Sequence, residues 1–130
     1  MLINRLRELN SSLTLRVDKE NPANSTEFYA NTYKADSDGN WVNITESDIA
    51  YSDIDFDAEK ATRAMEYVRI ERDRLLRSSD WTQGEDVPTA IKSAWTTYRQ
   101  ALRDVPSDYP SASLDENEQI TGVTWPTKPS

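Results

Sequence analysis

Apolar residues fall into short, differently spaced groups up to about residue 45 and into two long stripes after residue 57. Leu2, Ile3, Leu6 and Leu9 recur at three- and four-residue intervals, which predicts a short helix over 2–9. Asn10-Ser11-Ser12 breaks that rhythm. Leu13, Leu15 and Val17 alternate with polar residues, as in a strand with one buried face. Asn21 to Ser25 reads as a loop. Phe28 to Lys34 is rich in aromatic residues and threonine, Asp36-Ser37-Asp38-Gly39-Asn40 is a turn cluster, and Trp41 to Ile44 alternates again. The prediction is a β-hairpin with strands near 28–34 and 41–45. Glu46 to Phe56 is acidic and irregular.

Two helices follow. Ala61, Ala64, Met65, Val68, Leu75 and Leu76 form a stripe over about 57–77, with Asp55 or Asp57 placed to cap the exposed N–H groups. Ser78-Ser79-Asp80 ends it, and Gly84 lies in the connection. Ile91, Ala94, Trp95, Tyr98, Ala101, Leu102 and Val105 form a second stripe over about 87–104, with Asp86 as its cap and Pro88 in its first turn. Pro106 is expected to stop it. A short connection returns the second helix antiparallel to the first. From Pro106 onward the chain holds four of the six prolines, so the tail is expected to be extended. The predicted class is α+β: a C-terminal antiparallel helical hairpin (about 57–77 and 87–104), a small N-terminal β-hairpin element and an extended Pro-rich tail. The division expected is 1–56 and 57–130.

Composition narrows the chemistry. Hydrophobic residues make up 36% of the 130 and charged residues 29%, which predicts a modest core and large solvated faces. Fifteen basic residues against 23 acidic give a formal charge of −8, and phosphate backbones repel such a surface, so nucleic acid is not an expected partner. Cysteine and histidine are both absent. Disulfides, thiolate nucleophiles, imidazole bases and imidazole metal ligands are therefore excluded. No apolar run approaches the length of a membrane span, and the charged start lacks the apolar core of a signal peptide. No membrane partner is expected. Asp53 opens like a calcium loop, but Ala58 and Ala64 stand where glycine and glutamate are required. Asp36 fails in the same way, with Trp41 and Ser47 at those positions. Only three glycines are present, and none forms a phosphate-cradling loop. The expectation is no metal, no cofactor and no enzymatic activity.

Large aromatics and arginines are left as candidate contacts. Trp81, Trp95 and Trp125 each bring on the order of 200 Å2 of surface to a core or an interface. One reading buries Trp95 between the helices, closes the loop with Trp81 and clamps the tail with Trp125. The other puts Trp81 or Trp125 at a partner interface, where such side chains dominate binding. Arg69, Arg72, Arg74, Arg77, Arg99 and Arg103 cluster in an otherwise acidic chain. They serve either local pairs, such as Arg69 with Asp73 and Glu66 with Arg69, or a partner's carboxylates and carbonyls.

The run from Ile70 to Pro129 carries a leucine pair (Leu75, Leu76), Ser79-Asp80-Trp81, Pro88 opening a helix, Trp95-x-x-Tyr98-Arg99, Leu102-Arg103-Asp104 and a late Trp125-Pro126. This pattern resembles the tail assembly chaperone-like domain of tailed bacteriophages, found in tail fibre assembly proteins. The resemblance implies a chaperone that binds a tail fibre or other tail protein and assists its folding or trimerisation. It implies a place in the host cytoplasm during assembly and in the virion tail afterwards, with a homo-oligomer in the particle as an option. A permanent structural subunit, such as a baseplate, fibre-adaptor or decoration protein, is the alternative. The candidate partner-binding residues are Trp81, Trp125, Tyr98, Arg99 and Arg103. Residues 1–56 carry no recognised motif and are assigned to partner choice. A Pro-rich tail frays unless it is tied down, which favours a factor held in the finished tail.

Overall fold

The computed structural model describes residues 1–130. Their contacts separate into two compact units, Met1–Lys60 and Ala61–Ser130. Helix and strand are mixed throughout, with a three-stranded and a two-stranded antiparallel sheet.

The first unit begins with α1, Leu2–Leu9, whose Leu2 and Leu6 are fully buried. Strand β1, Leu15–Val17, follows. The expected strand from Phe28 is corrected: Ser25–Ala30 forms a helix, α2, and Phe28 is its buried residue. The cause is local. Asn24 accepts a hydrogen bond from the Glu27 amide (2.9 Å), and the Glu27 carboxylate accepts one from the Ala23 amide (2.8 Å). This reciprocal cap satisfies amides that a helix start otherwise leaves bare, and it outweighs the strand preference of Phe28 and Tyr29. The strand is confined to β2, Thr32–Ala35, which pairs with β1 on one side and β3, Trp41–Asn43, on the other. The turn between β2 and β3 is built by Asp36. Its carboxylate accepts from the Asp38 and Asn40 amides, both at 2.9 Å, and Gly39 takes φ +81°. Leu2, Leu6, Leu15, Phe28, Ile44, Ile49 and Ile54 make the core, with Tyr51 and Phe56 stacked near the Phe28 ring. Beside it, Lys34 donates to Asp48 at 2.7 Å, a contact that holds the Asp48 carboxyl below its ordinary value.

Helix α3, Phe56–Ser78, is capped by the Asp55 carboxylate on the Ala58 amide (3.0 Å). Most of it lies in the second unit, where Arg63, Ala64 and Val68 are buried. Asp73 is taken by its neighbour Arg72, not by Arg69, and Glu71 pairs with Arg74. Helix α4, Thr89–Asp108, is preceded by Pro88 at the cap position, with no side-chain cap, so Asp86 does not cap it. Ile91 and Ala94 of the expected stripe are exposed. The buried stripe is Trp95, Tyr98, Arg99, Leu102 and Val105.

Pro106 does not stop α4. The helix continues to Asp108, and the Tyr109 amide bonds the Val105 carbonyl at 3.0 Å. A proline in a helix removes one main-chain bond. Here Val105 and Ala112 are buried with Val68, and Tyr109 packs on them, so side-chain burial carries the chain past the gap. The tail is not extended throughout either. Strands β4, Ser113–Leu114, and β5, Ile120–Thr121, form a ribbon. Its turn repeats the first one. Asp115 accepts from the Asn117 and Gln119 amides (2.8 and 2.9 Å), and the fourth residue again has positive φ. That residue is Glu118, at φ 59°, where the first turn has glycine. Its carboxylate meets the Arg63 guanidinium at 3.1 and 3.4 Å, and the Arg63 side chain is 2% exposed. A left-handed glutamate is strained by about 1 kcal/mol or more. The salt bridge explains why glycine is not used.

Two outcomes follow from this geometry. Glu118→Ala leaves Arg63 without its counter-charge and keeps the backbone strain, at a cost of about 2–4 kcal/mol. Glu118→Gly loses the same pair but relaxes the turn, so the melting temperatures should rank wild type, then glycine, then alanine. Asp48 has its pKa depressed by Lys34, so the stability from that pair is full above about pH 4 and is lost as the pH falls through the lowered value. The destabilisation caused by Lys34→Met, measured by denaturant titration, should therefore shrink between pH 5 and acid.

Candidate functional site

The features with the character of a binding site lie where α3 gives way to α4. The last carbonyls of a helix lack intrahelical donors. At the end of α3 they are met from across the unit. Arg99 donates to the Leu76 carbonyl at 2.6 Å and to the Ser79 hydroxyl at 2.7 Å, and its guanidinium reaches Asp80 at 2.9 Å. The Ser79 hydroxyl in turn lies 3.0 Å from the Leu75 and Leu76 carbonyls. A cation at a helix C-terminus also suits the helix dipole. These bonds fold the chain into a 3₁₀ turn over Asp80–Gln83. Thr82, fully buried, closes that turn on the Ser79 carbonyl at 2.6 Å, and Gln83 accepts from Thr96 of α4 at 3.0 Å.

Trp81 rides on this turn. Its ring meets Trp95 edge-on, with centroids 5.8 Å apart, and Trp95 meets Tyr98 at 5.5 Å in the same manner. Trp95 and Tyr98 are each 7% exposed, whereas Trp81 is 63% exposed. Ile91, one helical turn before Trp95, is also exposed. Leu75, Leu76 and Leu102 pack beneath the rings. From the tail, Trp125 is half-buried and touches both this cluster and the one around Val68 and Val105. Lys128 sits 5.7 Å from the Trp95 ring, within range of a cation–π contact. The tail thus makes contacts of its own with the second unit through Trp125 and Lys128.

Of the five candidate contact residues, the fold gathers Trp81, Tyr98 and Arg99 around Trp95, and Trp125 joins from the tail. Arg103 stands on the exposed side of α4 without an ion pair. Arg99 and Tyr98 turn inward, so Trp81 is the large side chain the cluster leaves to solvent. Thr82 is the residue of this site that the sequence reading does not single out. Ser79 and Asp80 stand in the sequence as a helix stop and as motif residues; the structure adds that they supply groups that Arg99 binds. The arrangement offers donors, rings and apolar surface. It has no converging carboxylates, and no three acidic side chains come close enough to hold a metal ion. No helix is long and apolar enough to cross a membrane.

Truncation separates support from display. Arg99→Ala should cost about 2–4 kcal/mol, because the Leu76 carbonyl and the Ser79 hydroxyl lose a charged donor. Trp81→Ala should change thermal stability by less than about 1 kcal/mol while altering the near-ultraviolet dichroism of the indole pair.

Residues 65–130, which contain all of this site, match the family described as phage tail assembly chaperone protein. No curated protein and no solved structure gives a match. The match covers half of the chain and takes in the Trp81 turn, α4, the β4–β5 ribbon and the tail. This chain belongs to the phage tail assembly chaperone family.

Proposed function

We propose that the chain is an assembly factor for the tail fibre. It binds a fibre protein through Trp81, assists its folding or trimerisation, and stays attached in the virion. It acts by binding and not by catalysis. The observation that carries this reading is the exposure of Trp81, 63%, on a turn immobilised by Arg99 and backed by buried Trp95. A rigid, exposed aromatic with an apolar neighbour is the usual anchor of a protein interface, since little conformational freedom is lost when it is covered.

Helices α3 and α4 serve as an antiparallel hairpin that presents this anchor, with the proline-rich tail lying against it. The order of contacts supports that arrangement: Val68 meets Val105, and Leu76, later in α3, meets Arg99, earlier in α4. Residues 1–56 form the region that selects the partner. The need for such a factor is physical. Fibre subunits are rich in β-structure, and their unpaired strands aggregate before the trimer closes. Covering an exposed segment during that interval suppresses the side reaction.

Co-expression with the fibre gene tests the proposal. Soluble, trimeric fibre should accumulate only when this chain is present, and Trp81→Ala should reduce fibre binding at least about tenfold without unfolding the chain. Fibre that trimerises correctly alone removes the chaperone role. Protein analysis of purified particles then decides retention: presence in the absence of any folding effect assigns a permanent structural subunit instead.

A further inference from the structure

Strand β3 lies at the edge of the first unit's sheet, and every residue of it is exposed. Its hydrogen-bonding parity follows from the ladder. The Asp36 amide bonds the Asn40 carbonyl and the Ile44 amide bonds the Thr32 carbonyl, so Val42 is the β3 residue that bonds back to β2, opposite Lys34. Antiparallel pairing alternates. The amide and carbonyl of Trp41 and of Asn43 therefore face away from the sheet, and they are left without a partner. The Asn43 side chain does not cover them, because its amide group reaches back to the Tyr29 and Thr32 carbonyls.

Edge strands are normally guarded by charge, proline or a bulge. The opposite edge conforms: β1 carries Arg16, which pairs with Asp18 and lies over the Tyr33 ring at 4.2 Å. Trp41-Val42-Asn43 carries none of these devices among its own residues, although the Arg16 guanidinium also lies 5.4 Å from the Trp41 ring. The acids nearest its free edge lie beyond its two ends: Asp38 in the turn, where Asp36 is taken up by main-chain amides, and Glu46 after Ile44. Asp38 and Glu46 are both exposed and neither is ion-paired. Over residues 1–60 the acids number 12 and the bases 6, a net −6. A second copy of this edge would place like charges together, whereas a strand with basic ends would meet opposite ones.

We propose that β3 is a docking edge for an extended segment of another polypeptide, uncharged in the middle and carrying lysine or arginine at its ends. The segment adds as a fourth strand. It exchanges main-chain hydrogen bonds with Trp41 and Asn43 and sets its terminal cations against Asp38 and Glu46. The proposal rests on the reading of residues 1–56 as partner-selecting. It is independent of Trp81, so the two surfaces can fail separately.

The test uses the full chain, labelled with nitrogen-15, and two synthetic heptapeptides. Both alternate threonine and valine; one ends in lysine on each side and the other in glutamate. In the free chain the Val42 amide should be protected from exchange while those of Trp41 and Asn43 exchange freely. The lysine-ended peptide should slow exchange at Trp41 and Asn43 at least about tenfold and leave Val42 unchanged. It should also bind about tenfold more tightly at low salt than the glutamate-ended peptide. Asp38→Lys combined with Glu46→Lys should reverse that preference, and the retained protection of Val42 reports that the sheet is intact. Unchanged exchange at Trp41 and Asn43 overturns the docking edge. Equal binding of both peptides to the wild type overturns the charge rule. Protection of Trp41 and Asn43 in the free chain that disappears on dilution assigns the edge to a second copy and overturns the proposed occupant. Trp81→Ala should leave all of these readouts unchanged, so loss of fibre binding in that variant speaks only to the other surface.

Discussion

Near the end of α3 the Leu75 carbonyl is bonded by Ser78 and Ser79, and the Leu76 carbonyl by Ser79 and, from α4, by Arg99. Much of the second unit follows from that substitution of a guanidinium for water. The same group holds Ser79 and Asp80, and so decides how the chain leaves α3. The turn that results sets Trp81 against Trp95. A lysine has one compact ammonium and cannot bridge three acceptors in a fixed fork. Arginine is thus required by geometry as well as by charge.

A second arginine does comparable work near the start of the same unit. Arg63 is buried and chelated by Glu118. Both residues belong to a chain with eight more acids than bases, so two of its scarce cations are spent inside. The arginines on the solvent side of α3 that are half-buried or exposed are a separate class. Arg72 and Arg74 pair with acids one or three positions away, and such surface pairs contribute less than about 1 kcal/mol each. Membership in the phage tail assembly chaperone family fits this economy: the interior is fastened by a few specific polar contacts, and apolar surface is left on display at the turn.

Much of this was legible from residue order. The spacing of Leu2, Ile3, Leu6 and Leu9 marks α1, and Asp55 marks the start of α3. The glycine of Asp36–Asn40 marks the first turn. What escaped did so for identifiable reasons. Phe28 and Tyr29 favour strands by type, but the Asn24 and Glu27 cap acts over four residues and wins locally. The second turn has no glycine to announce it, because Glu118 adopts the left-handed conformation to reach Arg63. Pro106 marks a helix end in isolation, yet buried Val105 and Ala112 hold the helix through it. At the candidate site the indoles stood out by their size. Arg99 reads from sequence as a possible surface contact, but its inward course depends on the Leu76 carbonyl and the Ser79 hydroxyl, 23 and 20 positions away.

The Arg63–Glu118 contact spans 55 positions, and that separation has a consequence for biosynthesis. Chains emerge from the ribosome with the N-terminus first, and domains fold as their residues become available. Until position 118 has been translated, Arg63 can be buried only as a lone cation, which is prohibitive. The second unit therefore closes only once residue 118 is available. A product cut short of that position would stay open and would be a target for proteases.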